Sequence, residues 1–271
     1  FSYLSVFSSI AGGNYHGMQW TLRKRFANGD MVDVNYTWSK SIDLRSNTER
    51  VGWSTGVIWN PWYPGLHKGV SDYDNTHLFN MLGVYNLPFG RRGRYLTQAP
   101  GWLNALVGGW QIAGIWRWSS GFPISVYQTG VWPTNWNNNN WAVWNGKPFE
   151  RRQTKNAPAV AGRGGPNMFP DPKKALEAFD YEMPGGIGTR NCIRGDGIFN
   201  VDASLSKRFA MPYADGRHSI QIRWEVFNVS NTVKFDVAGA SLDISTAGTF
   251  GKYSSQLTSP RVMQFGLRYE F

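Results

Sequence analysis

Apolar and polar residues alternate with a period of two along several ten-residue stretches of this chain. The clearest case is the end of the sequence, Arg261-Val-Met-Gln-Phe-Gly-Leu-Arg-Tyr-Glu-Phe271. Strand side chains alternate between faces. Met263, Phe265, Leu267, Tyr269 and Phe271 therefore share one face, and Gln264, Gly266, Arg268 and Glu270 share the other. The same rhythm runs through Met18, Trp20, Leu22 and Phe26 against Gln19, Thr21, Arg23 and Arg25, with Lys24 interrupting the apolar side. After Ala27-Asn-Gly-Asp30, a tight-turn signal, Val32, Val34, Tyr36 and Trp38 alternate with Asp33, Asn35, Thr37 and Ser39. Further strands are predicted over 110–119, 199–209 and 220–227. There Arg117, Asp202, Arg208, Arg223 and Glu225 fall opposite Trp116, Val201, Phe209, Trp224 and Val226. Residues 77–86 are apolar but alternate poorly, so their facing is open. Residues 1–10 offer a possible eighth strand.

Strand length separates a membrane barrel from a soluble sandwich. Ten residues at about 3.3–3.4 Å each, tilted by about 45°, rise roughly 24 Å, close to the apolar band of outer-membrane barrels. Soluble strands run nearer to five or six residues. The connections point the same way. Counting back from the C-terminus, 27–30, 87–109 and 210–217 lie at one end, and 40–76, 120–198 and 229–260 at the other. All three long connections thus share an end, as on barrels with short periplasmic turns and long outer loops. Within 120–198, residues 173–181 are predicted to form one short helix.

Composition sharpens this picture. Charged residues make up 17% and aromatics 15%, with 14 Trp, as interfacial girdles require. No run of 18 apolar residues provides a membrane-spanning helix. The net charge of +10 is spread over alternate strand positions and not gathered into a stripe, which argues against nucleic acid as a partner. Cys192 is the single cysteine, so the chain has no intrachain disulfide. The sequence opens without Met or a signal peptide and is expected to be a mature product or a fragment.

No catalytic constellation emerges, and neither enzyme activity nor a cofactor is expected. His16, His67, His77 and His218 lack metal-ligand spacing, and there is no GxSxG or phosphate loop. Asp72 and Asp74 fit either a Ca²⁺ clamp or an ordinary turn before a strand. Arg194-Gly-Asp196 matches an integrin-type tripeptide but is expected by chance. The polar-face residues Arg23, Arg25, Asp33, Arg117, Asp202, Arg208, Arg223, Glu225, Arg268 and Glu270 are expected to face a water-filled lumen, either as a structural ion-pair ladder or along a substrate path. In the long connections Trp53, Trp59, Trp62, Trp132, Trp136 and Trp141 are the candidates for stacking on an extracellular ligand.

Several blocks in order add a family resemblance. They are Tyr15-His-Gly-Met-Gln19, Lys24-Arg-Phe26, Tyr36-Thr-Trp-Ser-Lys-Ser-Ile-Asp43, Ser71-Asp-Tyr-Asp74 with His77, Tyr85-Asn-Leu-Pro-Phe-Gly90, Gly108-Gly-Trp-Gln-Ile-Ala-Gly114 with Ser120-Gly-Phe-Pro123, Asn200-Val-Asp202, Phe227-Asn228, Gly248-Thr-Phe-Gly251 and the terminal strand. From Tyr15 onward the chain resembles the barrel of Oar-like TonB-dependent receptors. The resemblance implies an all-β, antiparallel transmembrane barrel of the 22-stranded, plugged kind, of which residues 1–271 would be the C-terminal third. It also implies residence in the bacterial outer membrane. The plug and the earlier strands have no counterpart here, so this portion would not import alone. Partners implied are outer-membrane lipid, those remaining parts of the same polypeptide, TonB, and the barrel-assembly machinery, which would read Met263, Phe265, Leu267, Tyr269 and Phe271. Removal of Phe271 is expected to impair insertion. Two other readings stay open: a complete eight-stranded barrel with a structural or adhesive role, and a soluble basic β protein that binds polyanions.

Overall fold

The computed structural model describes residues 8–46, 58–91, 93–129, 140–211 and 218–271. Seven long strands dominate it: β1 (Gly13–Arg25), β2 (Met31–Asp43), β3 (His77–Asn86), β4 (Trp110–Ser119), β5 (Ile198–Ala210), β6 (Ser219–Phe227) and β7 (Val262–Glu270). They pair antiparallel in chain order as one meander, with a two-residue strand, Gly69–Val70, added beside the end of β2. Short strands elsewhere form four two-stranded sheets. Among the described residues, no strand pairs with the outer edge of β1 or of β7, and the sheet is not closed. Because successive strands reverse direction, β1 and β7 run the same way. Of the possible eighth strand, residues 1–7 lie outside the described set and 8–10 are not in a strand.

The β1–β2 hairpin forms where the turn signal predicts. Gly29 takes φ +85°, a conformation that costs other residues a Cβ clash. The Phe26 amide donates to the Asp30 carbonyl at 2.9 Å. The Asp30 carboxylate accepts from the Asn86 amide at 2.7 Å, which ties the hairpin to β3.

Register settles which way β3 faces. Across the sheet Leu22, Val34, Met81, Trp116 and Val201 form one row, and Trp20, Tyr36, Phe79, Trp118 and Phe199 the next. Phe79, Met81 and Tyr85 thus join the apolar face. The opposite face carries the row Thr21, Asn35, Asn80, Arg117 and Asn200. It also carries Leu82 and Ile115 between Asp33 and Asp202, and this apolar intrusion is what blurs the alternation of β3.

None of the buried hydrophobic residues lies on the seven strands; all of those described sit in the connections. Many large apolar side chains on one face of the sheet stay exposed, among them Trp20 at 66% and Phe265 at 77%, and the others on that face are at most partly buried. An exposed apolar face of this extent marks an interaction surface.

Candidate functional site

The three long connections are not separate loops. Residues 120–197 and 228–261 share a hydrophobic core in which Val126, Met168, Phe169, Leu242 and Phe250 are fully or almost fully buried. The Phe169 and Phe250 rings stack 5.4 Å apart, and Phe149 packs edge-on against Phe169 at 5.7 Å. A short helix, Pro172–Leu176, adds Ala175 to this core. It starts where Asp171 accepts from the Lys174 amide and is shorter than the expected 173–181, because residues 179–180 turn into a two-residue strand beside 143–144. The first long connection joins through a second cluster, Trp59, Trp141 and Ile187.

Two arginines fasten this assembly to the sheet. Arg190, with its side chain 2% exposed, donates to the Asp43 carboxylate at 2.6 Å and to Asp72 at 3.1 Å. It also donates to Ser46 Oγ at 2.8 Å. Asn191 donates to Asp72 at 2.7 Å. Arg194 pairs with the fully buried carboxylate of Asp74 and donates to the Gly121 carbonyl at 2.9 Å. Asp72 and Asp74, read from sequence as a possible Ca²⁺ clamp, are instead taken up by arginine and asparagine. Among the described residues no three of His, Cys, Asp and Glu gather as metal ligands. The Arg194-Gly-Asp196 tripeptide is likewise engaged internally, since Asp196 pairs with Arg151 at 3.0 Å.

Above this latch lies an aromatic and cationic stack. The Arg45 guanidinium sits 4.7 Å from the Trp59 ring centre and 4.8 Å from that of Trp141, a desolvated cation–π arrangement. Burial pulls its pKa down to about 10. His67 is fully buried beside it and accepts the Trp59 amide proton on Nε2 at 2.9 Å. Burial first, and the Arg45 charge second, hold its pKa down to about 4, so the ring is neutral.

The six candidate tryptophans divide accordingly. Trp59 and Trp141, expected at a ligand surface, are buried with ring centres 4.6 Å apart. Trp53, Trp132 and Trp136 lie outside the described residues. Trp62 is 69% exposed, as is Tyr63, on a turn that Asn60 pins by accepting both of their amides. Sequence reasoning missed Arg45, Arg190 and the buried role of His67. The only signal was the Asp72–Asp74 pair, whose cationic partners lie more than a hundred residues away.

Comparison with known proteins decides the setting of this architecture. A family profile described as "Outer membrane beta barrel domain" matches residues 1–264. The chain belongs to that family. No curated protein and no solved structure matches it.

As a member, this chain resides in the outer membrane and belongs to a structural outer-membrane barrel class. Family membership is consistent with bilayer contact and with a general transport or structural role. The ten polar positions expected to share a face do so by register. Four ion pairs run among them: Arg23–Asp33 at 2.7 Å, Arg208–Glu270 at 2.6 Å, Arg268–Glu270 at 3.2 Å and Arg223–Glu225 at 3.3 Å. Asp202 accepts from the Asn228 amide at 2.8 Å. Met263, Phe265, Leu267 and Tyr269 occupy the other face, in register with Val226, Trp224, Ile222 and Ile220. Trp224 and Phe265 stack with an interplanar angle of 2°.

Proposed function

We propose that these seven strands are one arc of a larger TonB-dependent receptor barrel that binds or takes up an extracellular ligand. One observation carries this reading: an open meander of seven strands whose two edges are unpaired among the described residues. In hydrocarbon an unpaired strand edge is untenable, because each unsatisfied backbone group costs several kcal/mol. A barrel of uniformly antiparallel neighbours needs an even strand count. At least one further strand must therefore lie between β7 and β1. The ordered blocks resembling Oar-like receptors favour many more than one, with a plug inside.

In this reading the short-connection end is periplasmic and the fused loop assembly faces outward, as on other outer-membrane barrels. The ion-pair face lines the lumen against the plug, and Trp62 and Tyr63 supply exposed rings at the outer end. Met263, Phe265, Leu267, Tyr269 and Phe271 form the segment read by the assembly machinery. TonB would act through the plug-bearing part of the same polypeptide.

The test is the intact mass of the native polypeptide in outer-membrane extracts. A mass far above 30.6 kDa is expected. A native mass equal to that of this chain would overturn the receptor reading in favour of a small complete barrel.

A further inference from the structure

The connection between β3 and β4 contains a helix that the alternation of the sequence does not announce, α1 (Gly101–Val107). Its position relative to the sheet is fixed by two side chains. Lys207 lies on the apolar face, in register with Trp110 and Ile222. Its ammonium donates to the carbonyls of Ala105 and Leu106, at 2.5 Å and 3.2 Å. Trp110 Nε1, from the same face, donates to the Leu106 carbonyl at 2.8 Å. Both anchors reach the C-terminal carbonyls of α1 from the apolar face of the sheet. The helix therefore rests against the lipid-side wall at the short-connection end. Lys207 on this mainly apolar face is thereby explained: it satisfies carbonyls that the helix leaves open and meets the negative end of the helix dipole.

Against this wall α1 turns apolar side chains outward. Trp102 is 72% exposed and Leu106 64% exposed. Four residues apart, they share one helix face. The same connection carries Arg91 and Arg94. A groove of about 450 Å³ opens on the apolar face, lined by Trp110, which also holds α1, and by Leu205, Ile222, Trp224, Phe265 and Leu267, together with Arg223. An apolar helix face, neighbouring basic residues and continuity with the lipid-facing sheet together describe an in-plane interfacial helix.

We propose that α1 is a membrane-surface anchor seated in the headgroup layer, and that its occupant is glycerophospholipid, with acyl chains filling the adjoining groove. The inference rests on the outer-membrane assignment and not on the receptor reading. Lipid suits the site better than a protein partner because Trp102 and Leu106 continue the surface that the bilayer already covers, and because Arg91 and Arg94 of the same connection supply charge that complements phosphate.

Nitroxide labels on Trp102→Cys and Leu106→Cys, each in a Cys192→Ala background of the native polypeptide, test this in vesicles of phosphatidylethanolamine and phosphatidylglycerol. Controls are Leu267→Cys on the lipid face and Arg163→Cys in an exposed outer loop. The expected result is an oxygen-to-nickel-chelate collision ratio at 102 and 106 several-fold above that at 163 and below that at 267. Aqueous ratios at both α1 positions, with a lipid ratio at 267, would overturn the anchor alone. An aqueous ratio at 267 as well would overturn the membrane reading of the sheet. Labels shielded from both colliders only after native membrane extract is added would assign the surface to a protein partner and overturn the lipid proposal.

Discussion

Arg190 and Asp43 meet at 2.6 Å although 147 residues separate them in the chain. The contact joins the end of β2 to the far part of the 120–197 connection. It is also the least solvent-exposed ion pair among those described. Removing one partner of a buried pair leaves an uncompensated charge, at a cost of about 3–5 kcal/mol. Arg190→Met should therefore release the loop assembly, with rapid proteolysis within 120–197, while the heat-modifiable gel shift of the barrel is kept. Arg190→Lys should fail to restore protection, because one ammonium cannot serve Asp43, Asp72 and Ser46 with the geometry of a fork. Wild-type protease resistance in Arg190→Met would refute the latch.

Acidification should loosen the same region through His67. Its folded pKa of about 4 lies below the ordinary 6.5. Above pH 6.5 the ring is neutral in both folded and unfolded states, and the assembly keeps its full stability. Between about 6.5 and 4 the unfolded chain takes up a proton that the folded one refuses, so stability falls as pH falls. Hydrogen-exchange protection around 58–67 and 140–144, corrected for intrinsic rates, should drop between pH 7 and pH 5. In His67→Gln, which keeps an acceptor for the Trp59 amide, this dependence should flatten; an unchanged slope would mean that other groups carry it.

The two faces of β7 should respond oppositely to charge. Phe265→Arg places a cation on the apolar face beside Trp224 and, with that face against lipid, should destabilise the inserted protein by about 2–4 kcal/mol near the bilayer midplane. Gln264→Arg lies on the polar face opposite Glu225 and should change little. Urea titrations in lipid vesicles measure both, and equal losses would contradict the face assignment.

The loop assembly should unfold independently of the sheet. Phe169 is completely buried against Phe250, and Phe169→Ala should remove about 3–5 kcal/mol from that core. Near-ultraviolet dichroism and protease sensitivity of 120–197 should register the loss, with the gel shift of the barrel retained. Simultaneous collapse of both would show one cooperative unit.

What the sequence reveals follows from where each contact is encoded. The seven strands are legible because period-2 alternation is local and repeats within ten residues, and the Gly29 turn is legible because its chemistry is confined to four. The facing of β3 is not, since Leu78 and Leu82 fall on the polar face and only register with β2 and β4 resolves them. The loop core is invisible to periodicity because Val126, Ala142, Phe169 and Leu242 come from irregular segments. The ligand expectation placed on Trp59 and Trp141 used residue type alone, which cannot distinguish a displayed ring from a buried one. Asp72 and Asp74 stood out, but the partners of the carboxylates come from the 190–194 stretch and are identifiable only in three dimensions.

The shared core of 120–197 and 228–261 also imposes an order on biogenesis. The first of these segments leaves the sheet between β4 and β5, the second between β6 and β7. Neither can complete the core alone, since Phe169 comes from one and Phe250 from the other. The cap can therefore mature only after β6 and β7 have both joined the sheet, which makes its folded surface a record that this hairpin is in place.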